Sequence, residues 1–174
     1  AAYMFDTRYY YSIKEAVNAE KIDVISICSS TESHLNLAKE ALENGIKFLI
    51  IEKPIVEKIK DLNTLNKLRD KYDAKICSVH NHRFYESYET ARERLLEIGE
   101  IISIKRVMVF NNSTIRMMEP NHWSHNIPGG RLFEANPHNI YTIYSLIGEF
   151  NIENASIISN KSRTYSPIQS FSCQ

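Results

Sequence analysis

Phe48-Leu49-Ile50-Ile51-Glu52-Lys53-Pro54 sets an unbroken apolar run directly against a carboxylate, an ammonium and a proline. A continuously apolar segment, Lys47 to Ile51, predicts a parallel strand covered on both faces. Pro54, which has no backbone donor, ends it. The charged pair then stands at the carboxyl end of a buried strand, where open α/β sheets bind their ligands.

The neighbouring segments supply the rest of the sheet. Asp23-Val24-Ile25-Ser26-Ile27-Cys28 is rich in β-branched residues and predicts a strand, preceded by a short helix, Ile13 to Ala19, that Ser12 can cap. Leu35, Leu37, Ala38, Ala41 and Leu42 keep helical spacing in a helix opened by Thr31 or Glu32 and closed by Asn44-Gly45. Leu62, Leu65 and Leu68 mark a third helix, and Ala74 to Val79 a third strand. This β-α-β-α-β order predicts a doubly wound parallel sheet.

Beyond Arg83-Phe84 the pattern changes. Residues 86 to 98 predict a charged amphipathic helix ending at Gly99, and Ile101 to Asn111 a strand that alternates as an antiparallel sheet with one wet face requires. Residues 112 to 128, rich in Asn, Met, His and Pro, predict a long loop of the kind that carries function. A helix then runs to Leu146 or Ile147 before Gly148, and Ile152 to Ser159 predicts another strand. Ser162 to Gln174 has no strong pattern. The expected domains are 1–82 and 83–174, an α/β unit followed by part of an α+β unit with a mostly antiparallel sheet.

Charge and composition narrow the partners. Lys plus Arg equals Asp plus Glu, 21 against 21, so no basic surplus points to nucleic acid or to an anionic membrane. No apolar run approaches the roughly 20 residues needed to span a bilayer. The expectation is a cytoplasmic protein that takes a small ligand, from a sequence that begins without methionine. Cys28, Cys77 and Cys173 show no paired spacing, and the first two fall in apolar runs, which predicts buried thiols.

Taken together, the segments from Val24 to His34, Glu52-Lys53-Pro54, Asn81-His82-Arg83-Phe84, and Pro128-Gly129-Gly130 followed by Glu134-Ala135-Asn136-Pro137-His138 resemble the ordered motifs of the Gfo/Idh/MocA oxidoreductases. The resemblance runs from about Ser12 to Ser159. It implies a partial Rossmann domain joined to part of an α/β substrate domain, NAD or NADP as cofactor, and hydride exchange with a sugar, cyclitol or sugar-nucleotide alcohol or carbonyl. It also implies a homo-oligomer, dimer or tetramer, and a Gly-rich turn and further strands outside this chain. Glu134 stands where the family more often has Asp. That difference motivates an alternative, a catalytically silent relative that binds a nucleotide sugar or a partner protein.

Residue by residue, the resemblance places Ser29, Ser30, Thr31, His34, Glu52, Lys53, Asn81 and Arg83 around the cofactor. Oxidising an alcohol requires a base for the hydroxyl proton and a cation beside the developing alkoxide. Lys53 suits the cation and His138 the base, with Glu134 beside it in the catalytic set, and the substrate hydroxyl is expected between Lys53 and His138. Lys53 read alone is equally a surface lysine at a strand end, and a lone histidine equally a hydrogen-bonded core or capping residue. Pro137 favours a helix start at Glu134 or later, with His138 at the positive end of the helix dipole. A start at Gly130 would instead set Glu134 and His138 one turn apart. His34 is expected to bond nearby backbone. Trp123 and His125 predict a lid over a sugar ring, with Glu134 and His138 completing the substrate contacts. His80-x-His82 on a strand, with His122 and His125, lacks a recognisable ligand set, so no metal is expected.

Overall fold

The computed structural model describes residues 5–101, 130–159 and 168–173. The chain divides into two compact units, Ala1–Val79 and His80–Gln174.

In the first unit α1 (Ile13–Ala19) leads to β1 (Val24–Ile27), α2 (Thr31–Glu43), β2 (Phe48–Ile51), α3 (Ile59–Tyr72) and β3 (Lys75–Ser78). The strands lie side by side in the order β1-β2-β3, both pairs parallel, with Ile27 opposite Ile51 and Ile51 opposite Ser78. The helix ends follow from local chemistry. Ser12 caps α1 by accepting the Glu15 N–H at 3.1 Å, while the Glu15 carboxylate reaches back to the Tyr11 N–H at 2.8 Å. At the end of α2 the N–H of Gly45 bonds the carbonyl of Leu42 and that of Ile46 the carbonyl of Ala41. This closure requires φ of +88° at Gly45, where a side chain would be strained.

The core lies on one face of the sheet. Ile27, Leu49 and Ile51 turn inward against Ala38, Ala41 and Leu42 of α2, Leu65 of α3, and Ile46 and Val56 from the connections. Burial along β2 therefore alternates: Leu49 and Ile51 are buried, whereas Phe48 and Ile50 are 49% and 37% exposed. Val24, Ser26, Cys28, Lys75 and Cys77 are exposed too. This corrects two expectations, since β2 is not covered on both faces and neither thiol is buried. An apolar run does not reveal which of its faces is packed, because the side-chain period of two is invisible when both faces are apolar.

His34 is the most deeply buried polar residue of this unit, 1% exposed. Its Nδ1 lies 3.0 Å from the Pro54 carbonyl oxygen and its Nε2 3.1 Å from that of Ser29. Both oxygens only accept, so the protonated ring nitrogen donates. The ring thereby ties the segment after β1 to the segment after β2.

In the second unit a 3-10 turn (Asn81–Phe84) precedes α4 (Glu86–Leu95) and α5 (Gly130–Ile147), followed by the antiparallel pair β4 (Ala155–Ser159) and β5 (Ile168–Cys173). Three expectations change here. The helix expected over 86 to 98 stops at Leu95, α5 starts at Gly130 with Pro137 inside it, and the tail expected to lack pattern holds β5. Ile-Gln-Ser-Phe-Ser-Cys carries no clean alternation; pairing with β4, Ala155 opposite Cys173, makes it a strand. The strand expected over Ile101 to Asn111 and the loop over 112 to 128 lie outside the described residues, Ile101 excepted.

One-sided burial sets the effect of substitutions along β2. Replacing the fully buried Ile51 with Ala should cost about 3 kcal/mol by urea unfolding, whereas Phe48→Ser on the open face should stay within about 0.5–1 kcal/mol. His34→Ala removes a buried ring and the N–H that it donates to one of two backbone carbonyls, and should cost about 2 kcal/mol in the same assay.

Candidate functional site

Parallel pairing brings the ends of β1 and β2 out at the same edge. The ladder continues one step past the strands, with the Glu52 N–H bonded to the Ile27 carbonyl at 2.9 Å, so Glu52-Lys53 lies alongside the chain leading into Ser29-Ser30-Thr31. Those three residues form the turn into α2, a helix of 13 residues whose first N–H groups point to this edge. Ser29 and Ser30 are exposed, and Thr31 is 7% exposed. Of the three, Thr31 is least presented to a ligand.

Hydroxyl contacts knit this turn together. The Ser29 and Ser33 hydroxyls share a hydrogen bond of 2.6 Å, and the Ser33 hydroxyl also approaches the Ser30 carbonyl at 2.7 Å. Ser30 occupies the position before the helix, yet its side chain makes no cap bond and points to Glu32 at 3.3 Å. On the other segment the Glu52 carboxylate accepts the Lys53 N–H at 3.0 Å, and the Lys53-Pro54 peptide is cis. Lys53 and Glu52 are both half-buried and Pro54 is buried. His34 bridges the two segments from beneath through the carbonyls of Ser29 and Pro54. The structure thus brings together Ser29, Ser30, Thr31, His34, Glu52 and Lys53, six of the residues that the sequence singles out.

A second cluster forms within the other unit. Here the 3-10 turn meets the middle of α5 through aromatic rings. His82 stacks on His138, ring centroids 4.2 Å apart and planes 23° apart. His80, just before the turn, stands edge-on to His138 at 6.0 Å and stacks on Tyr141 at 4.0 Å and 9°. Arg83 donates through Nη1 to the Tyr141 hydroxyl at 3.3 Å. That bond, and the negative charge Tyr141 would carry if ionised, push the guanidinium pKa further above its ordinary value. Asn81 lies exposed in the turn.

The placement of His138 corrects the expectation drawn from Pro137. His138 is not in a first turn but eight residues into an 18-residue helix, with the Thr142 hydroxyl bonded to its carbonyl at 2.6 Å. The helix-dipole argument therefore lapses, because that field fades within one turn of the helix end. Pro137 is accommodated within α5 at the loss of one backbone bond. Glu134 and His138 lie four positions apart on α5. His80 and His82 flank and occupy a 3-10 turn rather than a strand, because β3 ends at Ser78. Among the described residues no group of three or more His, Cys, Asp or Glu is placed to hold a metal ion. Trp123, His125 and His122 lie outside the described residues.

Sequence reasoning missed His82 and Tyr141 as neighbours of His138. Tyr141 stands three positions after His138 on α5, a helical spacing that sets both on one face, but nothing local in the sequence marks that face as the one the turn at Asn81–Phe84 meets.

Residues 1–81 match the Gfo/Idh/MocA family, described as an oxidoreductase family with an NAD-binding Rossmann fold. An uncharacterized oxidoreductase YhhX of Escherichia coli (strain K12) is 26% identical over 95 residues, which are 53% of this chain and 27% of that protein. Among solved structures, the myo-inositol 2-dehydrogenase of Lactobacillus plantarum superposes with a TM-score of 0.72 at 22% identity, over 87% of this chain and 45% of that one. The WlbA dehydrogenase of Bordetella pertussis, in complex with NADH and UDP-GlcNAcA, superposes with a TM-score of 0.74 at 14% identity, over 98% of this chain and 52% of that one. At such identities these structures bear on the fold alone. The chain spans about half the length of those two structures, and its match to YhhX about a quarter of that protein. Residues 1–81, somewhat under half of the chain, thus match the NAD-binding Rossmann fold of the Gfo/Idh/MocA family of oxidoreductases.

Proposed function

We propose that the intact protein exchanges hydride between NAD or NADP and a secondary alcohol or carbonyl of a sugar, cyclitol or sugar nucleotide. The observation that carries this reading is the shared edge of β1 and β2, where Ser29-Ser30 at the head of α2 and the half-buried Lys53 emerge side by side. Such an edge suits a dinucleotide. The Ser29 and Ser30 hydroxyls and the first N–H groups of α2 would hold its ribose and phosphate oxygens, with Glu52, Asn81 and Arg83 as further contacts. A myo-inositol dehydrogenase and a dehydrogenase holding NADH with a UDP-sugar, both sharing the fold, support the choice of substrate class.

In this reading the bound nicotinamide supplies the hydride acceptor. Lys53 carries the positive charge that steadies the developing alkoxide, and His138 accepts the hydroxyl proton at a ring nitrogen and returns it in the reverse direction. His34, which bonds the Pro54 carbonyl, keeps the residue after Lys53 in place. Glu134, four positions before His138, assists that histidine, and Trp123 and His125 contact the sugar. The working form is a cytoplasmic dimer or tetramer.

Lys53→Ala and His138→Ala should each lower kcat by about 10²–10⁴-fold in an NAD(P)H absorbance assay over a panel of polyols, ketoses and nucleotide sugars. Turnover within a few-fold of wild type in either variant sinks the mechanism. Bound NAD(P)H whose fluorescence no carbonyl in the panel depletes would favour the silent-binder alternative instead.

A further inference from the structure

We propose that His82 is a positioning residue for His138: its imidazole, stacked face to face on that of His138, fixes the plane in which the proposed base presents its nitrogens. The inference deepens the role given to His138 above and rests on it.

Five rings form a continuous series. Tyr85 lies 5.1 Å from His82, His82 stacks on His138 at 4.2 Å, His80 stands edge-on to His138 at 6.0 Å, and Tyr141 stacks on His80 at 4.0 Å. Arg83 anchors the far end through the Tyr141 hydroxyl. The His138 ring is therefore confined on its face by one imidazole and met edge-on by another. Stacked and edge-to-face pairs are the favoured arrangements of aromatic rings, so both contacts resist rotation about the Cβ–Cγ bond. The backbone beneath is held as well. His80 directly precedes the short turn that holds His82, while His138 and Tyr141 are three positions apart on α5, so the two elements interlock through alternate rings.

This matters because a side chain that receives a proton works only when its nitrogen faces the hydroxyl within hydrogen-bond reach, and small misplacements cost rate rather than binding. A helix leaves a histidine free to turn its ring about the second side-chain torsion, whose well is broad. Pro137 lies beside His138 in sequence and removes one backbone bond from α5, so the ring contacts carry more of the orientation there.

The test compares His82→Phe, which keeps a flat ring, with His82→Leu, which keeps bulk without one, both in the intact protein. The first readout is the His138 ring-proton resonances, identified by their disappearance in His138→Gln. In wild type and His82→Phe these resonances should be displaced upfield by the facing ring, and in His82→Leu that displacement should vanish. The second readout is turnover. His82→Leu should lower kcat about tenfold with KM within about twofold, and His82→Phe should recover to within about threefold of wild type. Resonances indifferent to His82→Leu overturn the proposal, as does a Phe variant as impaired as the Leu variant. If wild type turns over no cofactor, the hydride-transfer reading fails, and the resonances alone decide whether His82 holds the ring. Should His82→Leu not fold, His82→Met against His82→Tyr repeats the comparison, with the same expected contrast and the same overturning result.

Discussion

Parallel pairing between β1 and β2 is the constraint from which the rest of the first unit follows. A parallel ladder obliges both strands to leave the sheet at the same edge, and the return path between them has to be a crossover, which α2 provides. The same crossover turns the start of α2 toward the carboxyl edge and lays its apolar side on Ile27, Leu49 and Ile51. Fold and candidate cofactor edge are therefore one decision. A register slip of one residue would swap the buried Leu49 and Ile51 for the exposed Phe48 and Ile50, and would also carry Glu52-Lys53 away from Ser29-Ser30.

His34 shows how core and edge are coupled. It lies in the first turn of α2, where a polar side chain would ordinarily face solvent, yet it is almost fully buried between two carbonyls. Those carbonyls belong to Ser29 and Pro54, at the roots of the two segments that carry the candidate contacts. Backbone at the end of a strand loses its ladder partners and has to find others when buried. The imidazole supplies an N–H to one of these carbonyls and packs against both segments, so the shape of the edge depends on a residue that never reaches it.

Much of this was legible in the sequence because the signals were local. Ser12 and Asn44-Gly45 mark helix ends by chemistry that acts within a few residues, and α1 runs over Ile13–Ala19 as that chemistry predicts. The apolar runs located all three parallel strands to within a residue or two. What was not legible depended on distant partners. Whether a second layer covers Phe48, Ile50 and Cys77 is a property of tertiary packing. The strand character of Ile168–Cys173 appears only against Ala155–Ser159.

Pro137 is the instructive case for the candidate site. Reasoning from intrinsic preference, a proline belongs in the first turn of a helix, and that rule displaced the expected start of α5. The structure continues the helix on both sides of it, from Gly130 to Ile147. A helix interior tolerates such a proline when packing outweighs one lost hydrogen bond, and the rings of His138 and Tyr141 against His80 and His82 lie directly after it. Residues 138 and 141 share a face of the helix wherever upstream it begins, and the ring contacts on that face offset the bond that Pro137 loses. A local rule about one residue type could not foresee that, because the compensation comes from a turn more than fifty positions away.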